Sequence, residues 1–122
     1  MNERNYQMIF DELSQYLFQS WEKLIVYLEY GEGYNSISFY EKINNQYLKC
    51  YDMPGVAEEE LDHSFAVIDK VISKERGKMK DPWTNMTMVV DRSGKMRTDY
   101  DYTDLSEGAY RYLKQWKKKY LL

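Results

Sequence analysis

Between residues 5 and 18 the apolar side chains Tyr6, Ile9, Phe10, Leu13, Tyr16 and Leu17 recur at the three-and-four spacing of one helical face. From Trp21 to Tyr30 the period drops to two, with Leu24, Val26 and Leu28 on one side of a strand and Lys23, Ile25, Tyr27 and Glu29 on the other. Gly31-Glu32-Gly33 predicts a turn, and Ser36–Lys42 a second strand with Ile37 and Phe39 on its apolar face. Asn44-Asn45 suits a hairpin turn because Asn tolerates positive φ. Gln46–Tyr51 then reads as a third strand, Leu48 and Cys50 opposing Tyr47, Lys49 and Tyr51, which completes an antiparallel meander.

Met53-Pro54-Gly55 breaks the sheet. Leu61, Phe65, Ile68 and Ile72 follow at spacings of four, three and four, one apolar stripe of a second helix. Glu58, Glu59 and Glu60 at its start and Lys74, Arg76 and Lys78 near its end complement the helix dipole, which gives the acidic triplet a local purpose. After Asp81-Pro82-Trp83, Thr84–Asp91 predicts a strand with Met86, Met88 and Val90 on one face. Arg92-Ser93-Gly94 turns the chain into Lys95–Tyr102, with Met96, Thr98, Tyr100 and Tyr102 opposing Arg97, Asp99 and Asp101. A last helix is expected to begin near Ser106 as N-cap, with Glu107 in its first turn and Ala109, Leu113, Trp116 and Tyr120 on its stripe. Lys117–Lys119 close it at the end where positive charge is favourable. The order α-βββ-α-ββ-α predicts an α+β domain spanning 1–122, an antiparallel sheet of about five strands with helices packed on one face.

Composition adds two points. Aromatic residues make up 16% of the chain, 13 of them Tyr, a side chain that serves half-buried sheets and contact surfaces alike. The net charge of −3 hides an asymmetry: residues 1–62 carry 4 Lys+Arg against 12 Asp+Glu, and residues 63–122 carry 13 against 8. Such polarity steers a charged partner if the fold preserves it. The single Cys50 excludes an internal disulfide and fits a reducing compartment, where a buried structural thiol is expected. The start, MNERNYQ, lacks the basic-then-apolar order of a signal peptide, and no apolar run reaches the roughly 20 residues that cross a bilayer. A cytoplasmic protein without membrane contact is expected.

Little in the chain builds an active site. Asp99, Asp101 and Asp104 suggest a metal site, but a calcium loop starting at Asp99 needs Gly sixth and Glu twelfth, where Asp104 and Tyr110 stand. Asp99 and Asp101 share one strand face with Lys95 and Arg97, so ion pairing on a solvated face accounts for them ahead of acid–base chemistry. His63, the only histidine, lies off the apolar stripe. Phosphate-cradling glycine loops, GxSxG, HExxH and CxxC are all missing. Trp83 after Pro82 reads as a core-edge anchor more than a stacking platform for bases, and the pI of about 5.2 disfavours direct nucleic-acid binding. No catalytic residue, metal or cofactor is expected.

The pieces Pro82-Trp83-Thr84, Ser93-Gly94-Lys95, Asp99-Tyr100-Asp101-Tyr102 and Asp104-Leu105, in that order, resemble the YezG-like immunity (antitoxin) family. Trp21-Glu22-Lys23 and the Pro54, Glu58–Asp62 helix start extend the resemblance over most of the chain. The tail SEGAYRYLKQWKKKYLL departs from the family pattern, being short and basic, and the link between the first helix and Trp21 is abbreviated. The resemblance implies a non-enzymatic cytosolic protein that binds and neutralises the C-terminal nuclease domain of a toxin exported by a type VII-like system of Gram-positive bacteria. It places the family's strand-end motif on Asp99, Tyr100, Asp101, Tyr102 and Asp104, and the expected toxin contact adds Glu107 and Trp83. A nuclease is cationic where it holds phosphate, so an acidic, Tyr-bearing patch suits that role. When free, the protein is expected to be a monomer or weak homodimer. Two alternatives stand beside this: a small metal-dependent hydrolase using Asp99, Asp101 and Asp104, and a self-associating adaptor module.

Overall fold

The computed structural model describes residues 1–106 and 108–122. Helix α1 (Glu3–Leu13) begins at a reciprocal cap: the side chains of Asn2 and Asn5 each accept the other's backbone N–H at 3.1 Å. Ser14–Tyr16 tightens into a 3-10 turn, so the predicted helical stretch winds differently at its end. Strands β1 (Trp21–Gly31) and β2 (Tyr34–Ile43) form a hairpin whose turn holds Gly33 at φ 78°. Asn44 and Asn45, at φ 51° and 62°, supply the left-handed pair that a two-residue turn needs, and lead into β3 (Gln46–Lys49).

β3 is shorter than the predicted Gln46–Tyr51, because Cys50–Asp52 wind into a 3-10 turn that carries Cys50 and Met53 into the core. Helix α2 (Glu58–Gly77) buries Leu61, Phe65, Ile68 and Ile72, the predicted stripe. No side chain caps its start at Ala57, which leaves Glu58–Glu60 to offset the free amide dipoles. Strands β4 (Asn85–Asp91) and β5 (Met96–Asp101) form the second hairpin, and α3 (Ala109–Tyr120) ends the fold.

All pairings are antiparallel and the sheet order is β3-β2-β1-β4-β5. The second hairpin thus adds to the free side of β1 and makes it the central strand. Seven consecutive residues of β1, Leu24–Tyr30, are buried, which requires cover on both sheet faces. One face, with Leu24, Val26, Leu28, Ile37, Phe39, Met86, Met88 and Val90, packs against α1 and α2 in the main core. The opposite face holds Ile25, Tyr27 and Tyr40, and Trp116 of α3 packs there.

The expectation that the helices share one face is therefore corrected: α1 and α2 do, and α3 lies across the other. The reason is chemical. The α1/α2 face is apolar, whereas the second face presents Glu29, Asn85, Thr87, Asp99 and Asp101 in register, and α3 meets it with the polar tips of Tyr112, Trp116 and Tyr120. The start of α3 is corrected too. Ser106 donates its backbone N–H to Asp104 Oδ1 at 3.0 Å in a local turn, and Gly108 is the N-cap, its carbonyl accepting from Tyr112 N–H at 2.9 Å. Glu107 lies outside the described residues.

Candidate functional site

The segment expected to carry function runs from Trp83 to Glu107, and strand alternation decides where the side chains of its strands go. Trp83 is 1% exposed, set against Tyr30 and Tyr100 with ring centroids 5.6 and 5.8 Å away. Its carbonyl accepts from Arg76 Nε at 2.7 Å, and the Arg76 guanidinium lies over the Tyr30 and Trp83 rings at 5.1 and 5.6 Å. Trp83 is a buried wedge that ties α2 to the sheet. Tyr100 also turns toward the main core, and its hydroxyl pairs with that of Tyr6 on α1; burial and this partner push its pKa up. Trp83 is buried and Tyr100 half-buried.

Asp99 and Asp101 point to the other face, under α3. Tyr120 donates to Asp99 Oδ2 at 2.6 Å, and Arg97 stands 3.6 Å from the same oxygen. Tyr112 donates to Asp101 Oδ2 and to Asn85 Oδ1, both at 3.1 Å. Trp116 Nε1 donates to Thr87 Oγ1 at 2.8 Å. The other Asp101 oxygen accepts from the Thr103 N–H at 2.9 Å and hydroxyl at 2.6 Å. These bonds, the Thr103 hydroxyl foremost, hold the Asp101 carboxyl below its usual range. Desolvation, followed by the Asp99 hydrogen bond, raises Tyr120 to about 12. A cleft of about 180 Å³ remains between β4–β5 and α3, lined among others by Asp99, Asp101, Gln115 and Lys119.

The acids at the strand end thus fasten the last helix to the sheet. Each one's nearest partners are phenol, hydroxyl, backbone amide or guanidinium groups of the same chain, an arrangement built for holding. Among the described residues, no three His, Cys, Asp or Glu side chains come together as a metal-binding group. His63 is exposed on α2, and Cys50 is buried, its thiol pushed up by desolvation.

Directly after Asp101, residues 102–104 face solvent. Tyr102 is 61% exposed, Asp104 is exposed, and the Ser106 amide lowers the Asp104 pKa. A wide trough brings Asp104 beside Glu32, Tyr34 and Arg76, at the end of the sheet where β1 turns into β2. Sequence reading missed the residues that clasp the acids, Tyr112 and Tyr120, and the neighbouring Asn85 and Thr87 that accept from Tyr112 and Trp116. The available signal was the four-residue spacing of Tyr112, Trp116 and Tyr120, three aromatics with hydrogen-bonding tips on a helix otherwise rich in lysine.

The charge asymmetry survives folding in part. Glu58–Glu60 and Asp62 are exposed at the start of α2, and Arg111, Lys114 and Lys117–Lys119 are exposed on α3, across the sheet from it. Among the described residues, no helix is long and apolar enough to cross a membrane.

Comparison with known proteins adds what geometry lacks. The chain is similar to Immunity protein YezG of Bacillus subtilis (strain 168), 26% identical over 128 residues, covering 95% of this chain and 85% of the relative. It is also similar to Immunity protein YezG of Bacillus spizizenii (strain ATCC 23059 / NRRL B-14472 / W23), 28% identical over 112 residues, covering 82% of this chain and 68% of the relative. A family model described as immunity protein YezG-like matches residues 2–121, nearly end to end, and the chain belongs to that family.

Proposed function

We propose that this protein is a non-enzymatic cytosolic immunity protein that neutralises a secreted polymorphic toxin by binding its C-terminal nuclease domain. The observation that carries this reading is the family match over residues 2–121. Exposed acids and tyrosines at one end of the sheet support the mode of action, because a nuclease surface that holds phosphate attracts them. The proposed contact narrows to Tyr102 and Asp104, with Asp99 at its rim. Trp83, Tyr100 and Asp101 position that surface from below, since their side chains are engaged within the fold.

Mixing this protein with the purified toxin domain encoded beside it tests the reading. A stable complex and loss of nuclease activity at stoichiometric amounts are expected. A toxin domain that stays fully active and elutes separately refutes it. Within a complex, Tyr102→Ala and Asp104→Ala should each weaken binding by about tenfold or more, as truncated interface anchors do.

A further inference from the structure

Sheet edges expose unpaired main-chain groups, and proteins shield them with charge, proline or cover. This sheet ends in β5 on one side, where Arg97, Asp99 and Asp101 charge the edge. On the other side β3 pairs only with Tyr40–Ile43 before the chain winds away at Cys50. The first half of β2, Tyr34-Asn35-Ser36-Ile37-Ser38, therefore has β1 on one side and, among the described residues, no strand on the other, and it carries neither charge nor proline.

Register fixes which groups are free. The two-residue turn makes Gly31 and Tyr34 a hydrogen-bonded pair, and the pattern alternates along the ladder. Ser36 and Ser38 thus pair with Glu29 and Tyr27, and the amides and carbonyls of Asn35 and Ile37 point away from β1. The next outward amide, Phe39, is directed at the Cys50 sulfur, which marks where the open stretch ends.

Beside this edge runs a groove of about 420 Å³ between β2 and α2, with Ile37 and Phe65 as its floor and Asp62 and Asp69 among its walls. Asp69 Oδ1 accepts from Tyr30 at 2.6 Å and Asn35 at 2.7 Å, which fastens the wall to the strand. Asp62 is exposed, and among the described residues no Lys or Arg lies within ion-pair distance of it. Tyr51 stands at the rim, 48% exposed and edge-on to Phe65 with centroids 6.2 Å apart. On the sheet's other face the same edge borders a second trough, lined among others by Ser36, Ser38, Tyr51 and Tyr110, with one charge of each sign from Glu29 and Lys49.

We infer that the open edge of β2, flanked by Asp62, Asp69 and Tyr51, is the docking strand for an extended, Lys/Arg-bearing segment of the toxin domain. The inference rests on the proposed function and deepens it. An added strand projects alternate side chains to opposite faces. One set would meet the acids of α2, and the other would meet the serines and tyrosines of the second trough. Charge complementarity selects a cationic occupant.

Two measurements on the complex with the purified toxin domain test this: calorimetric titration of variants, and amide exchange resolved by residue. Asp62→Lys and Tyr51→Ala should each weaken binding by about tenfold or more, while Lys117→Glu on α3 should leave it within about twofold. The Asn35 and Ile37 amides should become protected in the complex. Tight binding by both variants, or protection confined to β5 or α3, overturns the docking edge and leaves the immunity function standing. Absence of binding by the unaltered protein overturns both.

Discussion

Two buried side chains in this fold carry a polar atom with no partner among the described residues, Glu41 Oε2 and Trp83 Nε1. Glu41 sits fully buried in β2, where Oε1 accepts from the Phe18 N–H at 2.6 Å; desolvation raises its carboxyl pKa despite that bond. A carboxyl raised in the folded state contributes its stability below the unfolded pKa and loses it as pH rises through the folded one. Glu41→Gln keeps the acceptor and removes the buried charge. It should therefore stabilise the protein by about 1 kcal/mol at pH 8, with the advantage shrinking toward pH 4, as read by urea unfolding. Trp83 offers the converse case. Trp83→Phe gives up no hydrogen bond and should cost about 1 kcal/mol, against about 3–5 kcal/mol for the cavity left by Trp83→Ala. Sequence places Glu41 in an alternating strand and Trp83 at the core edge after Pro82, but the missing partner of each is a fact of three dimensions.

Elements with one dominant period were legible. The α2 stripe and the β4 face Met86, Met88 and Val90 lie in the core as their spacing required, and Asn44-Asn45 makes its turn. Asn45→Gly, which removes the Cβ penalty at φ 62°, should add a few tenths to about 1 kcal/mol in thermal unfolding. The final helix was legible too, but the sheet face it covers and the residue at which it starts were not. That face mixes Ile25, Tyr27 and Tyr40 with Glu29, Asn85, Thr87, Asp99 and Asp101, so the rule that apolar faces meet had little to grip, and a turn at Asp104 precedes the helix. Since α3 is held by tyrosine and tryptophan donors on acids and hydroxyls, its docking responds to pH at both extremes. Asp101 is lowered, so its contribution is present above about pH 4 and lost as pH falls below its folded value. Tyr120 is raised to about 12, so its contribution is present below about pH 10 and lost between there and 12. Trp116 fluorescence, read in a variant with Trp21 and Trp83 replaced by Phe, should hold steady between these limits and change at each. Asp99→Asn should leave the acid transition in place and shift the alkaline one downward.

At the scale of the molecule, sheet order decides what the surface offers. Sequence pattern predicts three strands and then two, and the choice of β1 as the shared neighbour is what leaves half of β2, among the described residues, with no strand on its outer side. The same choice brings Asp104, Glu32 and Tyr34 to one end of the sheet and sets the basic face of α3 away from α2. Asp99 and Asp101, read from sequence as ion-paired on a solvated face, are held by Tyr120 and Tyr112 of α3, with Arg97 beside Asp99, and Asp104 beyond them is exposed. Recognition driven by these charges should be salt-sensitive, with the association rate falling between low and physiological ionic strength, as stopped-flow mixing would record. The central claim, that this protein disarms a toxin by binding it, is tested most directly in living cells. Growth of bacteria induced to make the neighbouring toxin domain should collapse without this protein and recover when it is co-expressed, while the Tyr51→Ala/Asp62→Lys/Tyr102→Ala variant, made to the same level, should fail to restore it. Equal killing with and without the unaltered protein would contradict the account.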